Sequence, residues 1–100
     1  MRTQVGIVGA GPAGLMLSVL LRRAGIASVV LEDRSRAYIE NRVRAGLIEQ
    51  WVNNLLIEIG AGERLLRQGM VHDGIFLSAR GLLHHIDFRT LVDKGVTIYE

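Results

Sequence analysis

The sequence predicts an α/β fold that opens on a βαβ unit and continues into helices and a β-hairpin. Three observations predict it. The spacing Gly9-x-Gly11-x-x-Gly14 stands between a short β-branched run and an apolar run long enough for a helix, and a second β-branched run, 28–32, follows that helix. Further along, apolar residues recur at helical spacing from Leu47, and two apolar runs flank Arg80-Gly81.

Residues 5–21, VGIVGAGPAGLMLSVLL, are uncharged. A membrane-spanning helix needs roughly 17–25 apolar residues, so length alone permits one. Composition excludes it: Gly6, Gly9, Gly11 and Gly14 each weaken a continuous helix, and Pro12 breaks it. A strand over 5–8, a turn over 9–12 and a helix over 13–24 closed by Gly25 fit instead. A cleavable secretion signal would place small residues before its cleavage site, where Leu20-Leu21-Arg22-Arg23 stand. Residues 28–32 make the second buried strand. Residues 33–44 are polar, carry Arg34, Arg36, Arg42 and Arg44, and predict a long loop. From Leu47 the apolar positions 47/48, 51/52, 55/56 and 59 form one helical stripe, with Glu49, Gln50, Asn53, Asn54 and Glu58 on the other side and Gly60 ending the helix. Trp51 joins that stripe with Val52 and Leu55 as packing. A shorter helix covers 63–68, runs 75–79 and 82–88 form the hairpin, and 96–99 is one more strand.

The chain has 100 residues, of which 49% are hydrophobic, so it makes one small domain or part of a larger one. Its net charge of +2 is too small to predict nucleic acid as a partner. The absence of cysteine excludes disulfides and thiolate metal sites, and no metal site is predicted. Without a targeting segment the expected compartment is the cytoplasm, with no membrane partner.

The glycine spacing carries the chemistry. Following a strand, opening a helix and trailed by Glu32 at the end of the next strand, it is the Rossmann dinucleotide fingerprint in its structural context. Gly9 permits the tight turn, Gly11 lets backbone approach a pyrophosphate, and Gly14 lets helix pack closely on strand. The helix N-terminus offers unpaired N–H groups and partial positive charge to phosphates, and Glu32 accepts from a ribose hydroxyl.

"QVGIVGAGPAGLMLSVLLRRAGI" with "VVLE", then "RVRAGLIEQ" and "GMVHDGI", closely resembles the N-terminal segment of the para-hydroxybenzoate hydroxylases, flavin-dependent aromatic monooxygenases. The resemblance runs over nearly the whole chain and is strongest up to Gly74. It implies that residues 1–100 are the N-terminal part of a larger FAD-binding domain, with the substrate-binding and remaining flavin-binding parts absent. It implies FAD as cofactor, with Gly9, Gly11, Ala13, Gly14 and Glu32 among its contacts and the stretch Arg42, Val43, Arg44, Ala45, Gly46, Leu47 wrapping it. Arg44 is then the phosphate-facing guanidinium, a group that stays charged and offers paired donors. His72 corresponds to the histidine at the far end of the family's proton relay, a role imidazole fills near neutral pH. His84 and His85 match no motif and read as surface or packing residues. Asp33, Arg34, Tyr38 and Arg44 fall in the region that the family associates with its nicotinamide nucleotide, NADPH or NADH.

The residue after the ribose-binding acid is typically basic in NADPH-using relatives, and here it is Asp33. An acid there repels a 2′-phosphate and shifts the expected reductant toward NADH. The implied reaction is conversion of 4-hydroxybenzoate to 3,4-dihydroxybenzoate with NAD(P)H and O2, in a complete enzyme expected to be a homodimer. The chain alone is expected to be inactive, because the aromatic-acid pocket lies beyond it. The alternative is a free-standing, non-catalytic dinucleotide-binding module.

Overall fold

The structure is a computed structural model that describes residues 1–44, 46–92 and 96–98, the last three through their backbone. It divides into two units, Met1–Arg44 and residues 45–100.

The first unit is the βαβ element that the glycines and β-branched runs predict. Strand β1, Val5–Val8, pairs in parallel with β2, Ser28–Leu31, in the register Val5↔Ser28 to Val8↔Leu31. Backbone bonds extend the ladder at both ends, Val5 N–H to Ala27 O at 3.1 Å and Gly9 N–H to Leu31 O at 2.7 Å. The connecting helix α1, Pro12–Arg23, places its proline in the first turn, where a missing N–H costs nothing. It ends as Gly25 predicts. With Gly25 at φ +74°, the Gly25 N–H reaches Arg22 O and the Ile26 N–H reaches Leu21 O, the paired bonds of a Schellman stop.

The expected loop over 33–44 contains a helix instead, α2, Arg36–Asn41. Ser35 caps it, its Oγ accepting the Tyr38 N–H at 3.2 Å, and Arg36 pairs with Glu40 one turn on at 2.7 Å. Capping and an i,i+4 pair hold this polar stretch in a turn and a half of helix without an apolar stripe.

The second unit comprises β3 (Leu47–Ile48), α3 (Gln50–Glu58), α4 (Glu63–Gln68), β4 (Met70–His72), β5 (Gly74–Ala79), β6 (Leu82–Asp87), α5 (Phe88–Val92) and β7 (Val96–Ile98). Strands β3, β7 and β4 form an antiparallel sheet in that order, so Leu47 and Met70 flank Ile98 from opposite sides. Strands β5 and β6 form the expected hairpin. Its turn puts Arg80 at φ +51° and Gly81 at φ +75°, the two left-handed positions of a type I′ turn, whose twist matches that of the strands. Helix α4 coincides with its predicted range.

Several expectations need correction. The helical stripe does not begin at Leu47: Leu47–Ile48 pairs with β7, and the helix starts at Gln50. That strand is fixed by a partner some fifty residues away, which local periodicity does not report. Trp51 does not pack with the stripe; it is 65% exposed and its indole N–H donates to Glu49 Oε2 at 2.5 Å. The hairpin's second strand stops at Asp87, whose carboxylate accepts the Arg89 N–H at 2.8 Å and turns Phe88 into α5. Tyr99, placed in the last strand from sequence, lies outside the described residues. Among the described residues no helix is long and apolar enough to cross a membrane.

Asn53 is the largest correction. Read as part of the polar face of α3, it is 2% exposed, and among the described residues neither its Oδ1 nor its Nδ2 has a hydrogen-bond partner. An amide buried without partners costs about 1–3 kcal/mol on the scale of protein substitutions. We therefore expect Asn53→Leu, close in volume and free of polar atoms, to raise the unfolding free energy by about 1–3 kcal/mol in urea titrations. A loss of stability would show that the amide is hydrogen-bonded in solution.

Candidate functional site

The site in the first unit is built where β1 runs out. Gly9, at φ +106°, makes a turn that L side chains rarely adopt. Gly11 follows in extended conformation (φ −71°, ψ 177°) as the residue that starts α1. Gly14 is where helix meets strand. A Cβ added there would lie 2.0 Å from Gly9 O and 3.3 Å from Ile7 Cγ2, so the packing tolerates only glycine. At Gly11 the reverse holds: among the described residues a Cβ would meet nothing within 4 Å. The protein's own packing makes no demand for glycine at position 11, and the space a side chain would fill lies open beside the helix start. That is the arrangement a pyrophosphate needs: free room against a helix N-terminus with Ala13 in its first turn.

Glu32 stands just past β2. Its Oε2 accepts the Ala10 N–H at 2.8 Å and its Oε1 accepts the Arg34 N–H at 3.0 Å. These two backbone donors, Ala10 first, hold the carboxyl below its ordinary value by favouring the charged form. Open clefts lie on both sides of it. One, of about 450 Å³, is lined by Val8, Gly9, Leu31, Glu32 and Asp33. The other, of about 460 Å³, is lined by Ala10, Leu15, Glu32, Arg34, Arg36, Ile39 and Glu40.

The arginines of this unit are sorted by partner. Arg34 lies 3.6 Å from the Asp33 carboxylate and places its guanidinium 5.4 Å from the Tyr38 ring centre. Arg42 sits 5.8 Å from the same centre and donates from Nη1 to the Tyr38 hydroxyl at 3.3 Å. Tyr38 thus gathers Arg34 and Arg42, while Arg36 is taken by Glu40. Arg44 is exposed, and among the described residues no hydrogen bond or ion pair engages it. Val43 is 94% exposed. Ala45 lies outside the described residues.

The remaining sequence-predicted residues belong to the second unit. Gly46 is half-buried, Leu47 is 60% exposed in β3, and His72 is exposed. His72 is the last residue of β4, opposite Val96, and stands two residues before β5 begins at Gly74. The next residue is tied down: Asp73 O accepts the Phe88 N–H at 2.7 Å, and its carboxylate accepts from Arg89 Nη2. His85 stacks on Phe76 across the hairpin with ring centres 4.5 Å apart, as a packing residue would. Sequence reasoning missed Ala10, since an alanine between two glycines gives no sign that its amide is the one Glu32 holds.

Comparison with known proteins agrees with this geometry. The sequence profile of the FAD binding domain family matches residues 2–99. The chain is 42% identical over 100 residues to p-hydroxybenzoate hydroxylase of Acinetobacter baylyi, covering 99% of this chain and 25% of that protein. It is 40% identical over 91 residues to 6-methylpretetramide 4-monooxygenase of Streptomyces rimosus, covering 89% and 21% respectively. The solved p-nitrophenol 4-monooxygenase of Pseudomonas putida DLL-E4 superposes with a TM-score of 0.76 over 94% of this chain and 25% of that one; at 24% identity this is a likeness of fold. The chain spans about a quarter of the length of the relatives it matches.

The two bonds at Glu32 set a pH dependence. A carboxyl held below its ordinary value in the folded state contributes stability that is present above its unfolded pKa and is lost as pH falls through the lowered folded one. Glu32→Gln should therefore unfold at lower urea than the parent chain at neutral pH, and the gap should close in acid. A gap independent of pH would show that the charge on Glu32 contributes nothing.

Proposed function

We propose a function from this premise: the chain belongs to the FAD binding domain family. The first unit holds the adenosine diphosphate half of FAD. The observation that carries this is the pair of contrasting glycines, Gly14 closed by the protein's own backbone and Gly11 open to a ligand. Pyrophosphate lies against Gly11 and the first turn of α1 at Ala13, and Glu32 accepts from the ribose hydroxyls with the lone pairs that Ala10 and Arg34 leave free. Arg42, Val43 and Arg44 extend the cradle, with Arg44, unengaged within the described residues, as the phosphate-facing cation.

The activity served is hydroxylation of 4-hydroxybenzoate to 3,4-dihydroxybenzoate in a cytoplasmic homodimeric flavoenzyme; identity to the Acinetobacter hydroxylase over the whole chain supports this reading. FAD supplies the redox chemistry between nicotinamide and O2. This chain's residues bind and orient it, and His72 hands the substrate's phenolic proton to solvent, a task its exposed place at the end of β4 suits.

Titrating the chain with ADP tests the cradle. Gly11→Val should leave the unfolding free energy from urea titration within about 0.5 kcal/mol of the parent, because nothing among the described residues crowds the new side chain. It should weaken ADP by roughly tenfold or more, as the loss of a charge-assisted contact does. Undiminished ADP binding in a folded Gly11→Val chain would refute the site.

Asp33, Arg34 and Tyr38 sort the reductant. Asp33 repels a 2′-phosphate and also pairs with Arg34, a cation that could attract one. In a full-length hydroxylase carrying residues 33–44 of this chain, NADH should be used at least as well as NADPH. Asp33→Arg should raise kcat/KM for NADPH alone by roughly tenfold. Unchanged selectivity would mean that position 33 does not read the phosphate.

A further inference from the structure

We propose that Glu32 is a strut that shapes the glycine loop for anion binding, separately from any contact it makes with a ribose. The inference rests on the reading that the start of α1 takes a pyrophosphate.

Ala10 lies between two glycines, the most flexible residues available to a backbone, and among the described residues no atom stands within 4 Å of where a Cβ on Gly11 would sit. Left to itself such a loop samples many shapes, and ordering it would weaken any ligand it held. Two bonds from the end of β2 order it instead. Leu31 O accepts the Gly9 N–H at 2.7 Å, and Glu32 Oε2 accepts the Ala10 N–H at 2.8 Å across 22 residues of sequence. The second oxygen of the same carboxylate accepts the Arg34 N–H at 3.0 Å, which fixes the side chain from its other end. Glu32 thus links the turn after β1 to the turn after β2 through one rigid planar group.

Charge sharpens the inference. A carboxylate beside a pyrophosphate site is unfavourable by Coulomb's law, so removing it should tighten an anion if charge were all that mattered. The strut requires the opposite. Its charged surroundings are Asp33, Arg34, Arg36 and Glu40, which stay in place in every variant below. A carboxylate has about four acceptor positions, so two backbone bonds leave room for a diol, and the two roles coexist.

Inorganic pyrophosphate, which has no ribose, separates them. The isotope-labelled 100-residue chain is titrated with it by NMR as parent, Glu32→Ala, Glu32→Gln and Glu32→Asp. The strut predicts roughly tenfold weaker pyrophosphate binding for Glu32→Ala. It predicts the same for Glu32→Asp, which keeps the charge but loses the reach, and an intermediate value for Glu32→Gln, which keeps one acceptor. Equal or tighter binding in Glu32→Ala overturns it. Failure of the parent chain to bind pyrophosphate would defeat the underlying reading. The strut is then judged by a second measurement that needs neither ligand nor a folded variant. In the parent chain the Ala10 and Arg34 amide protons should shift together as acid protonates Glu32, with Glu32→Gln, where folded, as the control. An Ala10 amide indifferent to acid overturns the strut.

Discussion

The first unit depends on one close approach, that of α1 to the end of β1 at Gly14. With Gly9 O where it is, even a methyl at position 14 would sit 2.0 Å from a backbone oxygen, so helix and strand meet only because position 14 has no side chain. The consequence is positional. A helix seated this deep carries its N-terminus over the ends of both strands, bringing Ala10 within 2.8 Å of the Glu32 carboxylate and leaving Gly11 facing open space. Had the helix been lifted to admit a side chain, the loop would have lost its contact with Glu32. Fold and candidate site in this unit are therefore one set of constraints.

That coupling explains why the first unit was so legible. Each glycine signals through its own physical restriction: a positive φ at Gly9, an excluded Cβ at Gly14, a Schellman stop at Gly25. The limits of β1, α1 and β2 follow within a residue of what the sequence predicts, and Glu32 falls where the fingerprint puts it. The second unit was legible where its signals are local, in α4, in the Arg80-Gly81 turn and in the stop at Gly60, and illegible where they are not. Leu47–Ile48 and Met70–His72 become strands only because β7 lies between them, and no short-range pattern announces a partner so distant. Helix α2 was missed for another reason: its stability comes from the Ser35 cap and the Arg36–Glu40 pair rather than from an apolar stripe.

Asn53 shows the limit of periodicity as a guide to burial. Helical spacing assigns it to the polar face, yet it is buried while Trp51, in the apolar stripe, is exposed. Periodicity reports which residues share a face. Which face is covered depends on what packs there, and α3 begins three residues later than the stripe does, with β7 among the elements against it. Shifting the start of the helix leaves the spacing intact and changes what the pattern means.

The electrostatics of the first unit carry the same lesson into function. A polar stretch with Arg34, Arg36, Arg42 and Arg44 reads in sequence as a diffuse positive patch. In the structure Asp33 and Tyr38 occupy Arg34, Glu40 occupies Arg36, and Tyr38 occupies Arg42. Exposed pairs of this kind contribute little stability, commonly below about 1 kcal/mol, so their effect lies in direction rather than energy. They orient three guanidinium groups around α2 and leave the fourth, Arg44, unengaged among the described residues. Net charge counts all four alike. A phosphate would not, because a guanidinium already matched by a carboxylate attracts it less than one facing water, and selectivity among anions begins with that difference.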